Sequence, residues 1–217
     1  MSVERFGEGR YHQVHLPEHP SRGEIWRAIA AHLARWIPPD AAVVELGAGY
    51  CAWINAVRAA RRVAVDLWAD LPRHAAPGVE PLVLDVTSLR QMGRAQFDVA
   101  LASNLLEHFD ADTAAGIAGQ VRDILKPGGR FIVIQPNFRY AYRRYFDDFT
   151  HRSVFTDVSL PNMLRAQGFS VEDVRPKFLP YSMRGVQRRV PGWAVRAYLA
   201  SPVKPAAGQM LVVARRD

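Results

Sequence analysis

Apolar residues along this chain fall into short runs separated by stripes at helical spacing. Seven runs predict strands: 43–46 (VVEL), 61–66 (RRVAVD), 82–85 (LVLD), 97–102 (FDVALA), 130–135 (RFIVIQ), 169–174 and 209–214 (QMLVVA). Ile25, Trp26, Ile29, Leu33, Trp36 and Ile37 recur at helical period behind Ser21, with Glu24 at capping-box spacing, and Pro38 and Pro39 end that helix. Trp53, Ile54 and Val57 predict a helix after the first strand, and 87–94 a short helix or loop. A further helix is predicted over 112–126, with Ile117, Val121, Ile124 and Leu125 inward, broken by Pro127, Gly128 and Gly129. Another carries Leu160, Met163 and Leu164 and closes at Gly168. Alternating strands and helices predict an α/β fold: an open, doubly wound, mostly parallel sheet with helices on both faces.

Three of these strands end in an acid, Glu45, Asp66 and Asp85, and the first runs straight into Gly47-Ala48-Gly49. Strand, glycine turn and helix in that order make a nucleotide-cofactor site. Gly49 has no Cβ to collide with a ligand. Asp66 follows Glu45 by 21 residues, one strand–helix–strand repeat, which brings it to the edge that carries the glycine turn. A carboxylate there accepts hydrogen bonds from both hydroxyls of a ribose, and Asp85 falls where an adenine would lie. Gly47-x-Gly49-x-x-Ala52 also satisfies the dinucleotide fingerprint. Glu45, just before the glycines, argues against a dinucleotide, whose pyrophosphate wants apolar sequence there. The absence of room for a separate substrate domain argues the same way.

Composition narrows this further. The chain has 217 residues, nearly half of them apolar, which suits one domain over 1–217: an N-terminal arm and helix (1–39), a cofactor-binding half (40–135) and an acceptor-side half (136–217). A single cysteine, Cys51, excludes an internal disulfide and a cysteine-based zinc site. His12, His15 and His19 are spaced for one helix face, but Pro17 opposes a helix, so this stretch reads as an arm or lid and no metal is expected. No apolar run approaches the ~20 residues that span a bilayer, and the start lacks an apolar signal core, so a cytoplasmic protein is expected. The net charge of +7 is uneven: residues 1–134 hold 14 basic and 15 acidic side chains, residues 135–217 hold 14 and 6. An excess of +8 in the second part suits an anionic partner, or simply solubility. The segment 136–159 is dense in aromatics and arginines and reads as a lid over an acceptor pocket or as a second small core.

The pattern resembles the class I S-adenosylmethionine-dependent methyltransferases over roughly residues 40–175 and the final strand. The residues that carry it are Glu45-Leu-Gly47-Ala-Gly49, Asp66, Asp85, the Phe97-Asp98-Val99 strand with Asn104-Leu-Leu-Glu107-His108 after it, and Leu125-Lys-Pro-Gly-Gly129. The resemblance implies a Rossmann-like seven-stranded sheet with an antiparallel last strand, and S-adenosyl-L-methionine as cofactor with S-adenosyl-L-homocysteine as product. It implies cofactor contacts from Glu45, Gly47, Ala48, Gly49, Asp66, Leu67, Asp85, Val86, Ser103 and Asn104. Cys51 stands where a third glycine is frequent.

A sulfonium methyl is already activated, so the enzyme mainly aligns nucleophile, methyl and sulfur, and no covalent enzyme intermediate is needed. His151 and His108 are the candidate catalytic bases; Tyr140, Arg143, Arg144 and Asp148 are the candidate acceptor contacts, the arginines suiting phosphate or carboxylate. The stretch from Ile134-Gln-Pro-Asn137 to His151 is similar to bacterial methyltransferases of glycans, lipid-linked sugars or secondary metabolites. A small polar or anionic acceptor is therefore expected, methylated at oxygen or nitrogen. The alternative is an RNA or protein methyltransferase using the basic C-terminal half; a non-enzymatic cofactor-binding protein is a third reading. The apolar, basic 184–200 region suits core or dimer packing, or contact with an anionic membrane surface.

Overall fold

The computed structural model describes residues 20–181 and 189–217, so the histidine arm and part of the 184–200 region lie outside the described residues. Strands β1 (Ala42–Leu46), β2 (Arg61–Asp66), β3 (Val79–Val83), β4 (Phe97–Ser103), β5 (Leu125–Pro136), β6 (Phe169–Pro180) and β7 (Ala207–Arg216) form one sheet in the order β3-β2-β1-β4-β5-β7-β6. β7 inserts between β5 and β6 and runs antiparallel to both, while the other neighbours pair in parallel. The order reverses between β1 and β4, the point where open α/β sheets bind ligands outside the carboxyl ends of their strands.

Helices cover both faces. On one face, α1 (Arg22–Leu33) and α6 (Gly192–Ala200) pack with Val43, Leu101, Ile132 and Leu211. On the other, α3 (Ala111–Ile124) and α5 (Ser159–Ala166) bury Ile117, Val121 and Leu164 against Val44, Phe131 and Val212. Two one-turn helices, α2 (Leu71–His74) and α4 (Phe138–Ala141), sit in connections. The strands read as continuous apolar runs because the parallel sheet is buried on both sides. Asp98 ties three elements together: its carboxylate accepts from the Ala42 N–H at 2.8 Å and from the Lys126 ammonium at 2.8 and 2.9 Å. The Lys126-Pro-Gly-Gly129 turn thus fastens the start of β5 to β4, where a Cβ on Gly129 would stand 2.8 Å from the Lys126 carbonyl oxygen.

Three expectations need correction. The helix after the glycine turn is absent: 50–56 forms successive turns. In an α-helix the Ile54 N–H would bond the Tyr50 carbonyl; here it donates to Glu45 Oε2 at 3.0 Å, and Cys51 takes a left-handed φ of 55°. The third strand begins at Val79 and stops at Val83, because it is an edge strand whose residues after Val79 are exposed, so apolarity marks it poorly. Ser21 and Glu24 form no capping box. Ser21 Oγ accepts from the Val190 N–H at 2.8 Å and Glu24 Oε2 from the Gly192 N–H at 3.1 Å, so both tether the approach to α6.

Candidate active site

The cofactor edge is assembled from main-chain bonds to carboxylates. Glu45, buried in β1, is pushed up to about 8 by its burial, a shift that the Ile54 N–H opposes and the charge of Asp66 reinforces. Gly47 and Gly49 take φ values of 67° and 48°, the left-handed region in which glycine has no steric penalty. A Cβ on Gly47 would come within 2.9 Å of the Leu105 side chain, so β1 and the segment after β4 approach closely here. Asp66 clamps the turn: Oδ2 accepts from the Gly49 N–H at 2.8 Å and Oδ1 from the Trp68 N–H at 2.9 Å. An ionised carboxylate has about four lone-pair sites, so each oxygen can accept another donor. Asp85 Oδ1 accepts from Thr87 N–H and Oγ1–H, both at 2.8 Å, and so starts the 3-10 turn Val86–Met92.

The other expected cofactor residues are placed along the same edge, with differences. The Ala48 N–H is committed to the Val65 carbonyl at 3.0 Å. Leu67 is half-buried next to the Asp66 clamp, and the Val86 side chain is buried in the core, so only its backbone is available to a ligand. Ser103 ends β4; Asn104 follows in a left-handed conformation, donates to Ser103 Oγ at 3.2 Å and accepts from Gln209 of β7 at 3.1 Å. Cys51 is no nucleophile: burial, with Glu45 and Asp66 nearby, pushes its thiol up to about 12.

The expected catalytic and acceptor residues divide into two groups. His108, His151 and Asp148 come together. The Thr150 hydroxyl donates to Asp148 Oδ1 at 2.5 Å and lies 2.9 Å from His108 Nδ1. Its one proton being spent on Asp148, it accepts from Nδ1–H, which leaves the lone pair of His108 on Nε2. The His151 ring packs edge-on to His108, centroids 5.0 Å apart, and against Tyr145 at 4.6 Å. Burial pushes Asp148 up, but the Thr150 bonds and the two histidines outweigh it and hold the carboxyl below its usual range. Glu107 lies beside them, fully buried. Burial pushes its carboxyl up to about 8; its own N–H opposes this without reaching hydrogen-bond geometry.

Tyr140, Arg143 and Arg144 instead line a separate cleft of about 420 Å³ with Tyr142 and Tyr181. Arg144 pairs with Asp147 at 3.4 Å, and Arg143 Nε donates to the Tyr142 hydroxyl at 3.0 Å. The aromatic segment is divided: Tyr145 and Phe155 are buried, as a second small core requires, while Tyr142, Phe146 and Phe149 are exposed.

The model of a family described as a methyltransferase domain matches residues 19–174. The chain belongs to that family. Solved structures agree on the fold. A SAM-dependent methyltransferase from Archaeoglobus fulgidus superposes with a TM-score of 0.64 at 15% identity, covering 88% of this chain and 94% of that one. One from Mesorhizobium loti gives 0.62 at 20%, covering 87% and 98%. The 1,6-didemethyltoxoflavin-N1-methyltransferase from Burkholderia thailandensis, with S-adenosylhomocysteine bound, gives 0.57 at 24%, covering 97% and 83%. No curated protein matches the chain.

The methyltransferase uses S-adenosylmethionine, and its own residues fit that cofactor. The glycine turn has the backbone that a closely approaching ligand needs, Glu45 is a carboxyl suited to an ammonium, and Asp66 retains acceptor capacity for ribose hydroxyls. Sequence reasoning missed several neighbours in the methyltransferase. Trp68 stacks on His74 at 4.7 Å and meets Tyr50 edge-on at 5.3 Å, beside a cleft of about 580 Å³ lined by Arg22, Arg27, Tyr50 and Asn55. Thr150 and the buried Glu107 were also missed. For Glu107 a signal existed, since an acid directly after Leu105-Leu106 is either exposed or employed.

Proposed function

We propose that this methyltransferase acts on a small polar or anionic acceptor, such as a sugar or a secondary metabolite, methylating oxygen or nitrogen. The observation that carries this reading is the Asp148–Thr150–His108 chain with His151 against it, just after β4 at the sheet edge that carries the glycine turn. Bound S-adenosylmethionine supplies the activated methyl; the chain supplies alignment and a proton acceptor. His108 Nε2 has a lone pair to take a proton from an acceptor hydroxyl, a contribution of ~10²–10⁴-fold. Asp148 holds the ring through Thr150, and His151 with Tyr145 walls the site from water. Glu45, Gly47, Gly49 and Asp66 hold the cofactor, with Asp85 at the adenine. Arg143 and Tyr140, in the outer cleft, take an anionic group of the acceptor.

The ion pairing of the basic half favours a small acceptor over a polyanion. Arg139, Arg144, Arg152, Arg175 and Arg215 each pair with a carboxylate, which disperses the positive excess instead of presenting it as one surface. The test is incubation of the protein and methyl-labelled cofactor with extract fractionated into small molecules, RNA and protein. Label in the small-molecule fraction, identified by mass spectrometry, is expected. Label confined to nuclease- or protease-sensitive material would overturn the reading.

A further inference from the structure

We propose that Glu107, His108 and His151 form a binding site for one divalent transition-metal ion. Each offers a ligand atom, and the three atoms lie within 4.8 Å of one another. The 3-10 turn Leu106–His108 places the first two directly after β4, and the segment after α4 returns His151 against them. Arg152 and Ser153 hold this return in place by donating their N–H groups to the Glu107 carbonyl at 2.8 and 3.2 Å.

The strongest sign is Glu107 itself. It is fully buried, and among the described residues neither carboxylate oxygen has a hydrogen-bond donor. A carboxyl removed from water is ionised only where something cationic or a set of donors compensates it. Among the described residues no arginine or lysine forms an ion pair with Glu107. A metal ion would compensate it.

The rest of the cluster suits the same occupant. Thr150 fixes His108 as the tautomer with its lone pair on Nε2, the form that ligates, and Asp148 behind Thr150 orients the ring as outer partners of metal-bound histidines do. Glu107 as a ligand and Asp148 behind Thr150 supply carboxyl groups against which a divalent charge is compensated. Two imidazole nitrogens and one carboxylate favour zinc, manganese, iron, cobalt or nickel over magnesium or calcium, which prefer all-oxygen shells. Three protein ligands leave coordination positions open, as in catalytic rather than structural sites. The placement of those positions beside an acceptor oxygen rests on the function proposed above; the metal site itself does not. The His108 lone pair serves one purpose at a time, ligand when the ion is bound and proton acceptor when it is not.

The experiment uses untagged full-length protein stripped with chelator and titrated with cobalt(II), followed by visible absorption, and with zinc(II) against a chromophoric chelator. One equivalent is expected to bind. Glu107→Gln, His108→Ala and His151→Ala should each abolish it, and Thr150→Val should weaken it ~10–100-fold through lost orientation. Replacing His12, His15 and His19 with Asn should leave it unchanged. S-adenosylhomocysteine titration of each variant shows that it is folded; if the ligand variants do not bind it, Thr150→Val and the wild type decide. No saturable binding to the wild type, binding undiminished in the ligand variants and in Thr150→Val, or binding lost with the three N-terminal histidines would each overturn the site. Metal binding with no affinity for S-adenosylhomocysteine would instead refute the functional reading and leave the metal site standing.

Discussion

The cofactor edge and the acceptor cluster solve the problem of placing carboxyl groups in opposite ways. At the cofactor edge the backbone does the work: Ile54, Gly49, Trp68 and Thr87 aim N–H groups at Glu45, Asp66 and Asp85. Those bonds come from turns within about twenty residues of each acid, so the rim is formed before any ligand arrives. In the acceptor cluster, side chains more than forty residues apart meet each other, as Thr150 meets His108, and Glu107 is buried without a donor. The difference teaches where each part takes its partner from. A rim satisfied by its own main chain is preorganised for one invariant ligand. A buried acid lacking donors is completed by something the chain does not supply.

The largest predicted effect tests the acceptor cluster. His108→Ala should lower turnover by ~10²–10⁴-fold, the contribution of a positioned acid–base group, with S-adenosylhomocysteine affinity unchanged in calorimetry. Equal loss in both would erase the distinction between the two regions. Next is the rim: Asp66→Ala removes a charged acceptor and should cost ~1.5–3 kcal/mol of S-adenosylhomocysteine affinity. Unchanged affinity would refute its assignment to the ribose.

A smaller effect concerns pH. The Glu45 carboxyl lies at about 8 in the fold, against roughly 4.3 in an unfolded chain. A raised folded value means the fold binds this proton more tightly, so its contribution to stability is full below the unfolded value and is lost as pH rises towards 8. Glu45→Gln should therefore raise the Tm at pH 9 relative to wild type, by about 2–4 °C for each kcal/mol gained, and change it little at pH 4. An equal shift at both values would show that Glu45 does not titrate in this window. The smallest effect is expected at the exposed Arg144–Asp147 pair. Arg144→Ala should alter stability by less than ~1 kcal/mol; a larger loss on denaturant unfolding would mean that the cleft belongs to the structural core.

Much of this was legible in residue order. The buried strands announced themselves because a sheet covered on both faces demands unbroken apolar runs, and six of seven were placed that way. Gly47 and Gly49 marked a turn because left-handed backbone selects glycine. The spacing from Glu45 to Asp66 marked one repeat of the sheet. What failed did so where a distant group intervened. Glu45 took the Ile54 N–H and prevented a helix that local periodicity favoured, and β3 lacked an apolar signature because one side of it meets solvent.

Residue order alone thus determined the layered α/β fold and the acids lining one rim, since both follow from periodicity and short-range spacing. Only tertiary structure decided that His151 meets His108, and that Glu107 is shut away from water beside them. Those outcomes depend on which segments far apart in the chain share one interior. No local pattern encodes that, because the free energy comes from the contact itself and not from either partner.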